Sequence, residues 1–322
     1  MDKNSKIYIA GHRGLVGSGI VRTLDRHGFK NLVTRTRQEV DLRDAEATKK
    51  FFKEQKPNYV VLAAAKVGGI GANSTFPVEF MLENIQIQCN VISAAAENNV
   101  EKLVFLGSSC IYPKMARYPL TEDQLLSGPF EPTNEWYALA KVAGIKLCQA
   151  YRKQYSKNFI SIMPTNMYGP NDYYDFENSH VVPAMFLKIL KAKAENAKSV
   201  TLWGTGKVKR EFLHTDDLGE AVLTCLEKYN DAEMINVGSE EEITIQDLAT
   251  LICKVADFKG EIIWDSSKPD GVARKVMDSS KMKKLGWKPT ISLEDGLRST
   301  LPDAIRKFTQ VSQGETRKVI NK

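Results

Sequence analysis

Cysteine and histidine are scarce in this chain of 322 residues, which has five of the first and four of the second. Cys89, Cys110, Cys148, Cys225 and Cys253 are scattered, odd in number and never spaced Cys-x-x-Cys. That pattern argues against a disulfide framework and against a zinc site. Long apolar runs are also missing. None reaches the roughly eighteen residues that a membrane span requires, so none is expected. The polar start Met1–Lys6 leads straight into a short apolar segment, without the apolar stretch and cleavage site of a secretion signal. A cytoplasmic protein is expected. Charge of one sign is lacking too: the net value of +6 is mild and spread along the chain. With no basic stripe interleaved with aromatics, nucleic acid is not expected as a partner. The small excess fits either a cleft that attracts polyphosphate or an ordinary solvated surface. No internal repeat or low-complexity tract is present.

What the chain does have is an alternation of short β-rich runs and amphipathic segments. Lys6–Ala10, Leu32–Thr34, Tyr59–Ala64, Leu103–Gly107 and Phe159–Met163 read as strands. Between them, the faces Leu15–Leu24, Phe80–Ala96 and Asn134–Tyr155 read as helices, and Asp44 suits the cap of another that runs through Phe51 and Phe52. Apolar strands alternating with helices imply a parallel sheet covered on both faces, a Rossmann-type doubly wound α/β fold. After Pro164 the rhythm loosens into a turn-rich stretch, Asn166–Asp172. It resumes with helices Val181–Ala194, Leu218–Tyr229 (capped by Asp216 and Asp217), Thr244–Val255 and Asp295–Phe308, and with strands Val200–Trp203, Met234–Val237 and Glu261–Trp264. The expected division is a dinucleotide-binding domain over 1–170 and 216–237. A smaller, discontinuous α/β substrate domain covers 171–215 and 238–308, followed by a polar tail over 309–322.

The first strand runs into Gly11-His12-Arg13-Gly14-Leu15-Val16-Gly17, which opens the first helix. This Gly-x-x-Gly-x-x-Gly is a variant of the dinucleotide fingerprint. Its glycines permit a tight turn and let a pyrophosphate approach a helix N-terminus. The motif alone is weak; its place between the first strand and the first helix of a βαβ series strengthens it. An acidic residue after the second strand would hold the ribose hydroxyls of NAD. This chain has Thr34-Arg35-Thr36-Arg37 there. Cations at that point suit a 2′-phosphate, so NADP(H) is expected, with Arg13 contributing; the other reading is a solvated loop beside NAD. Asp41 and Leu42 lie where the adenine would be bordered.

The fourth strand ends in Gly107-Ser108-Ser109-Cys110, and ligands of such sheets bind beyond the carboxyl ends of the strands. Tyr137 and Lys141 are four residues apart on an expected helix and share a face. A cation beside a phenol favours its anion, so Lys141 is expected to bring the Tyr137 pKa down toward neutrality. Together with a serine hydroxyl to hold a carbonyl oxygen, that pair makes a carbonyl-reducing site. If the segment stays extended, Ser108 and Cys110 point to one side and Ser109 to the other. A simple reductase has no use for Cys110. It is either a packing residue or a thiol that removes a proton beside a ketone, which needs an acid partner. Among His12, His27, His180 and His214, His180 is the best placed, opening a helix just after the sheet.

These segments resemble the extended short-chain dehydrogenase/reductase superfamily and, within it, the GDP-L-fucose synthase family. The matching runs include Ile9–Gly14, Leu62–Gly69, Phe105–Lys114, Glu131–Glu135, Met163–Asn166, Asn178–His180, Arg210–His214 and Ser267–Gly271 with Arg274-Lys275. The resemblance implies a GDP-sugar substrate, GDP-4-keto-6-deoxy-D-mannose. Its C3 and C5 would be epimerised by Cys110 as base and His180 as acid. Its 4-ketone would be reduced by NADPH with Ser108, Tyr137 and Lys141. It implies further that Leu106, Gly107, Ser109, Lys141 and His180 border the cofactor and that Pro164, Thr165, Asn166 and Met167 wrap the nicotinamide. Lys188, Trp203, Arg210 and Asp270 would contact the substrate; Lys188 and Arg210 suit its pyrophosphate. A homodimer through the helices around 80–98 and 135–155 is also implied. The alternatives in the same superfamily are an NAD-dependent nucleotide-sugar 4-epimerase, which Arg35 and Arg37 argue against, and another nucleotide-sugar reductase.

Overall fold

Successive side chains of a strand point to opposite faces, and here both faces are apolar. The computed structural model describes residues 1–314 apart from Pro269. In it Ile7 and Ile9 of β1 (Ile7–Ala10) pack to one side and Tyr8 and Ala10 to the other. The rest of the first half follows as α1 (Leu15–Arg26), β2 (Leu32–Val33), α2 (Ala45–Gln55), β3 (Tyr59–Leu62), α3 (Ile70–Thr75), α4 (Pro77–Glu97), β4 (Lys102–Leu106), α5 (Glu135–Tyr155), β5 (Phe159–Pro164) and β6 (Asn166–Tyr168). The second half is α6 (Val181–Ala194), β7 (Ser199–Trp203), β8 (Lys209–His214), α7 (Thr215–Lys228), β9 (Ile235–Val237), β10 (Glu242–Thr244), α8 (Ile245–Ala256), β11 (Glu261–Asp265), β12 (Arg274–Lys275), α9 (Ser280–Lys284) and α10 (Leu293–Ser312).

Six strands form one parallel sheet in the order β2-β1-β3-β4-β5-β9. Phe51 and Phe52 of α2, Val91 and Ile92 of α4, and Val142 and Ile145 of α5 cover one face; Ile20 and Leu24 of α1 and Leu218 and Val222 of α7 cover the other. Each of these fully buried side chains contributes roughly 1.5–3 kcal/mol, which makes the sheet the rigid platform for the site. A third core joins α6, α8 and α10 to β7 and β8. Beyond the main sheet, β11 pairs with β7 in parallel. Strand β8 pairs with β10 and β12 through its first half and with β6 through Phe212–His214.

The doubly wound α/β expectation is borne out, with local differences. Asn166–Tyr168 is a strand rather than pure turn, because β8 offers it a parallel edge. Strands β8, β10 and β12 were not expected; they are short, polar and lack clean alternation. Asp216 and Asp217 lie in the first turn of α7, and the capping residue is His214, whose Nδ1 accepts from the Asp216 amide at 3.2 Å. The last helix continues to Ser312, past Phe308, because Phe308 and Val311 pack against the third core. Residues 315–322 of the expected polar tail lie outside the described residues. Among the described residues no helix is long and apolar enough to cross a membrane, and no His, Cys, Asp and Glu cluster could hold a metal.

Candidate active site

The glycine loop has the form of a phosphate cradle. Gly11 sits at φ +85°, and a Cβ there would lie 2.7 Å from the Ala64 amide nitrogen. A Cβ on Gly17 would lie 2.2 Å from the Gly11 carbonyl oxygen. Both positions therefore require glycine, for conformation and for close approach. Gly14 caps α1 without any side-chain hydrogen bond, so the helix N-terminus, begun by Leu15 and Val16, keeps donors for an anion. His12 carries a buried Nδ1 with no partner among the described residues. Burial, and then the Arg13 charge, hold its pKa below the ordinary value. These features fit a bound pyrophosphate.

Beyond β2, the Arg35 guanidinium lies 5.8 Å from the Phe51 ring centroid and donates to the Thr34 carbonyl at 2.7 Å. Arg37 approaches Asp41 at 3.5 Å. Asp41 is also held by Arg43 at 2.6 Å, and its hydrogen bonds with Arg43 keep its carboxyl below the usual range. Leu42 is buried and its carbonyl accepts from Asn90. Neither arginine is locked in a short carboxylate pair.

At the carboxyl end of β4 the chain departs from the extended form expected. Ser108 is extended, but Ser109–Ile111 make one short 3-10 turn, and the Ser108 Oγ accepts from the Cys110 amide at 3.2 Å. Strand alternation therefore does not set which way Cys110 points; the turn does. Ser109 is buried. A Cβ at Gly107 would lie 2.3 Å from the Met163 sulfur, so β4 and β5 meet closely there. The Leu106 carbonyl accepts from Lys141 Nζ at 2.8 Å.

Tyr137 and Lys141 do share a face of α5. The Lys141 Nζ is 5.8 Å from the Tyr137 ring centroid and 4.9 Å from that of Phe105. The expected effect on the phenol is reversed. Burial, then the charge of Cys110, push Tyr137 well above its ordinary value, against a lowering hydrogen bond from Ser108. Burial pulls Lys141 down to about 7. Burial of the phenol outweighs the one lowering contact, so a neutral phenol is the resting donor.

Cys110 and His180 act on one another electrostatically. Burial pushes the Cys110 thiol up, but Lys275, the Ser108 hydroxyl and His180 outweigh it, and the net shift is downward. Lys275 Nζ stands 3.4 Å from Cys110 Sγ. His180 caps α6, with its Nδ1 3.9 Å from Asp172 Oδ1. Burial pulls its pKa down, but Asp172, Cys110 and the Gly68 backbone hold it above the ordinary value. Lys275 and Asp172 carried no role in the reading from residues. Their signals were faint: one lysine in a basic pair, and one aspartate in a turn-rich stretch.

Of the remaining candidates, Asp270 is reached by Arg210. Its Nη2 donates to the Asp270 carbonyl at 3.2 Å, and burial lowers its pKa while Tyr118, Asp270 and Cys110 oppose that shift. The Asp270 carboxylate is committed to the loop after β7, accepting from the Thr205 amide at 2.8 Å and its hydroxyl at 2.7 Å. Trp203 is half exposed, with Lys188 Nζ 4.4 Å and Lys268 Nζ 5.4 Å from its ring. Burial lowers the Lys188 pKa. Thr165 and Asn166 are both tied to Glu211, by 2.9 Å and 2.8 Å bonds to its carboxylate and carbonyl; Pro164 closes β5 and Met167 packs on the second core. His214 and His27 lie elsewhere: the first caps α7 and the second pairs with Glu220 at the surface.

Residues 7–238 match the NAD dependent epimerase/dehydratase family. A putative GDP-L-fucose synthase 2 of Arabidopsis thaliana is 55% identical over 97% of this chain and 95% of its own length. The GDP-L-fucose synthase of Escherichia coli (strain K12) is 49% identical over 92% and 95%. A crystal structure of a GDP-L-fucose synthetase from Naegleria fowleri bound to NADP superposes with a TM-score of 0.89 at 28% identity, covering 96% of each chain. The chain belongs to the NAD dependent epimerase/dehydratase family and, within it, to the GDP-L-fucose synthases.

Proposed function

We propose that this protein converts GDP-4-keto-6-deoxy-D-mannose to GDP-L-fucose, inverting C3 and C5 and then reducing C4. The observation that carries the reading is the meeting, beyond the end of β4, of a thiol held below its ordinary pKa, a histidine held above it and the half-buried tyrosine of α5. A reductase needs only the last. The 4-ketone makes one site sufficient for both steps, because it acidifies its neighbouring carbons until it is itself reduced. Cys110 as thiolate takes the proton from carbon; the S–H bond forms as the C–H bond breaks, and the electron pair moves onto the ketone oxygen. Ser108 and Tyr137 hold that oxygen by hydrogen bonds. His180, kept protonated by Asp172, returns a proton to the opposite face. In the reduction, Tyr137 gives its hydroxyl proton to the C4 oxygen.

The cradle of Gly11, Gly14 and Gly17 would hold the pyrophosphate of the cofactor, Arg35, Arg37 and Arg13 its 2′-phosphate, and Lys141 its ribose. When bound, NADPH supplies the hydride to C4. Residues 1–170 and 216–237 make the cofactor domain in this reading, and 171–215 with 238–308 the substrate domain. Arg210 and Lys188 meet the substrate pyrophosphate, Trp203 walls its pocket and Asp270 orders that wall through Thr205. The protein works as a cytoplasmic homodimer through α4 and α5.

Incubation with GDP-4-keto-6-deoxy-D-mannose and NADPH tests the proposal by absorbance at the nicotinamide band and by product stereochemistry. Net NADPH oxidation with a GDP-L-fucose product is expected. Oxidation giving the unepimerised sugar, or none at all, would overturn it. Cys110→Ser should retain cofactor binding and lose epimerisation; full activity with unchanged product would remove the thiol from the mechanism.

A further inference from the structure

We propose that Lys275 is the counter-ion of the Cys110 thiolate, and that this pair sets the pH at which the site can take a proton from carbon. Its use in catalysis rests on the epimerase reading above; its existence does not. The placement follows from strand periodicity. Strand β12 pairs in parallel with β8, Lys275 opposite Arg210. Arg274 points outward to a 2.6 Å pair with Glu242, and its neighbour Lys275 therefore points inward. There its Nζ reaches Cys110 Sγ at 3.4 Å. Among the described residues no carboxylate lies within ion-pair distance of Lys275, so the sulfur is the anion available to it.

The other groups around the sulfur cannot replace this lysine. Ser108 is neutral and already accepts from the Cys110 amide. Tyr137 is a neutral phenol that itself suffers from the thiolate charge. Arg210 turns its guanidinium to backbone carbonyls of Lys209 and Asp270. His180 is backed by Asp172 and must give up its proton during each epimerisation. Lys275 takes no part in the proton transfers while the sulfur cycles between thiolate and thiol. Partial burial alone would leave Cys110 protonated at neutral pH, as it does the other partly exposed thiol, Cys89, which burial holds above its ordinary value.

The test is the pH profile of Cys110 alkylation by iodoacetamide in the substrate-free protein, with Cys110→Ser as the blank for Cys89. The native protein should react at a pH below the usual thiol range near ~8.5. Lys275→Met and Lys275→Gln should each slow alkylation roughly tenfold or more there and move the profile upward, with rates converging at high pH. Lys275→Arg should retain most of the native rate. A profile for Lys275→Gln and Lys275→Met that superimposes on the native one, with unchanged melting temperature, overturns the pair. Solvent deuterium entry into GDP-4-keto-6-deoxy-D-mannose without NADPH reads the other hypothesis separately. A shifted alkylation profile without deuterium entry leaves the pair standing and removes the epimerase. Deuterium entry with an unshifted profile does the reverse.

Discussion

Glu211→Gln isolates the buried carboxylate that ties the site together. Glu211 is fully buried; its Oε2 accepts from Thr165 Oγ at 2.9 Å and from the Met277 amide at 3.0 Å, and its Oε1 from the Glu240 amide at 2.6 Å. It therefore joins the end of β5, the approach to β10 and the segment after β12. Glutamine keeps the volume but has one oxygen. With that oxygen at the Oε2 position two bonds survive in neutral form, and its NH₂ meets the Glu240 amide, donor against donor. Leaving one buried amide unsatisfied costs about 1–3 kcal/mol, and each charge-assisted bond was worth about 1.5–3 against roughly 1 for a neutral one. An opposing effect comes from removing a buried charge, since burial already holds this carboxyl above its usual pKa. The hydrogen-bond loss wins because all three donors are fixed backbone or packed groups, and the net destabilisation should be about 1–3 kcal/mol. Each kcal/mol lowers the melting temperature by about 1–2 °C in a chain of 322 residues. Thermal and urea unfolding of the purified variant measure it, and Glu211→Ala, which orphans all three donors, should be worse. An unchanged midpoint in Glu211→Gln would refute the reasoning.

Tyr137→Phe keeps the ring contact with Phe80 and removes only the hydroxyl. Reduction should fall by about 10²–10⁴, and deuterium exchange into the substrate should fall much less; equal losses would count against a separate reductive role. Arg35→Ala combined with Arg37→Ala should weaken NADPH binding by about 10–100-fold, the worth of a charge-assisted contact or two, while NADH binding barely changes in a fluorescence titration. A common loss for both cofactors would assign the arginines to the fold instead. Lys141 gives a pH dependence: its folded pKa, about 7, lies below its ordinary 10.5, so the unfolded chain binds the extra proton between those values. Stability of the cofactor-free protein from this group is full above 10.5 and is lost as pH falls through about 7. Lys141→Met should flatten that part of the rise. The rest should remain, because Lys102, lowered to about 8 by burial, acts in the same sense; parallel native and variant curves would refute the assignment.

The sheet was legible in the sequence because its strands are buried on both faces, so Ile7–Ala10, Tyr59–Leu62 and Leu103–Leu106 are continuous apolar runs. Helices were legible from spacing and from caps such as Asp44, whose carboxylate accepts from the Ala47 amide. The strands β8, β10 and β12 were not, because they carry charged side chains to a cleft and gain their order from partners distant in the chain. At the site, the Ser108, Tyr137 and Lys141 spacing and the glycine loop were visible locally. Lys275 and Asp172 were hidden, since each matters only through contact with Cys110 or His180, far away in sequence. The titration of Tyr137 was misjudged for a related reason. Spacing gives proximity to Lys141, but only the fold gives the burial that overrides it.

The short turn after Ser108 has a consequence for how the two chemistries can be dissected. The Ser108 hydroxyl that would hold the substrate oxygen also anchors the backbone on which Cys110 is mounted. A variant lacking it would loosen the thiol along with the oxyanion contact, so both activities would decline together and the defect would read as global. Genetic separation of the epimerase from the reductase should therefore begin at Tyr137 and His180, which hang from different helices. The serine is the position where one protein engineered for a single activity would be the hardest to obtain.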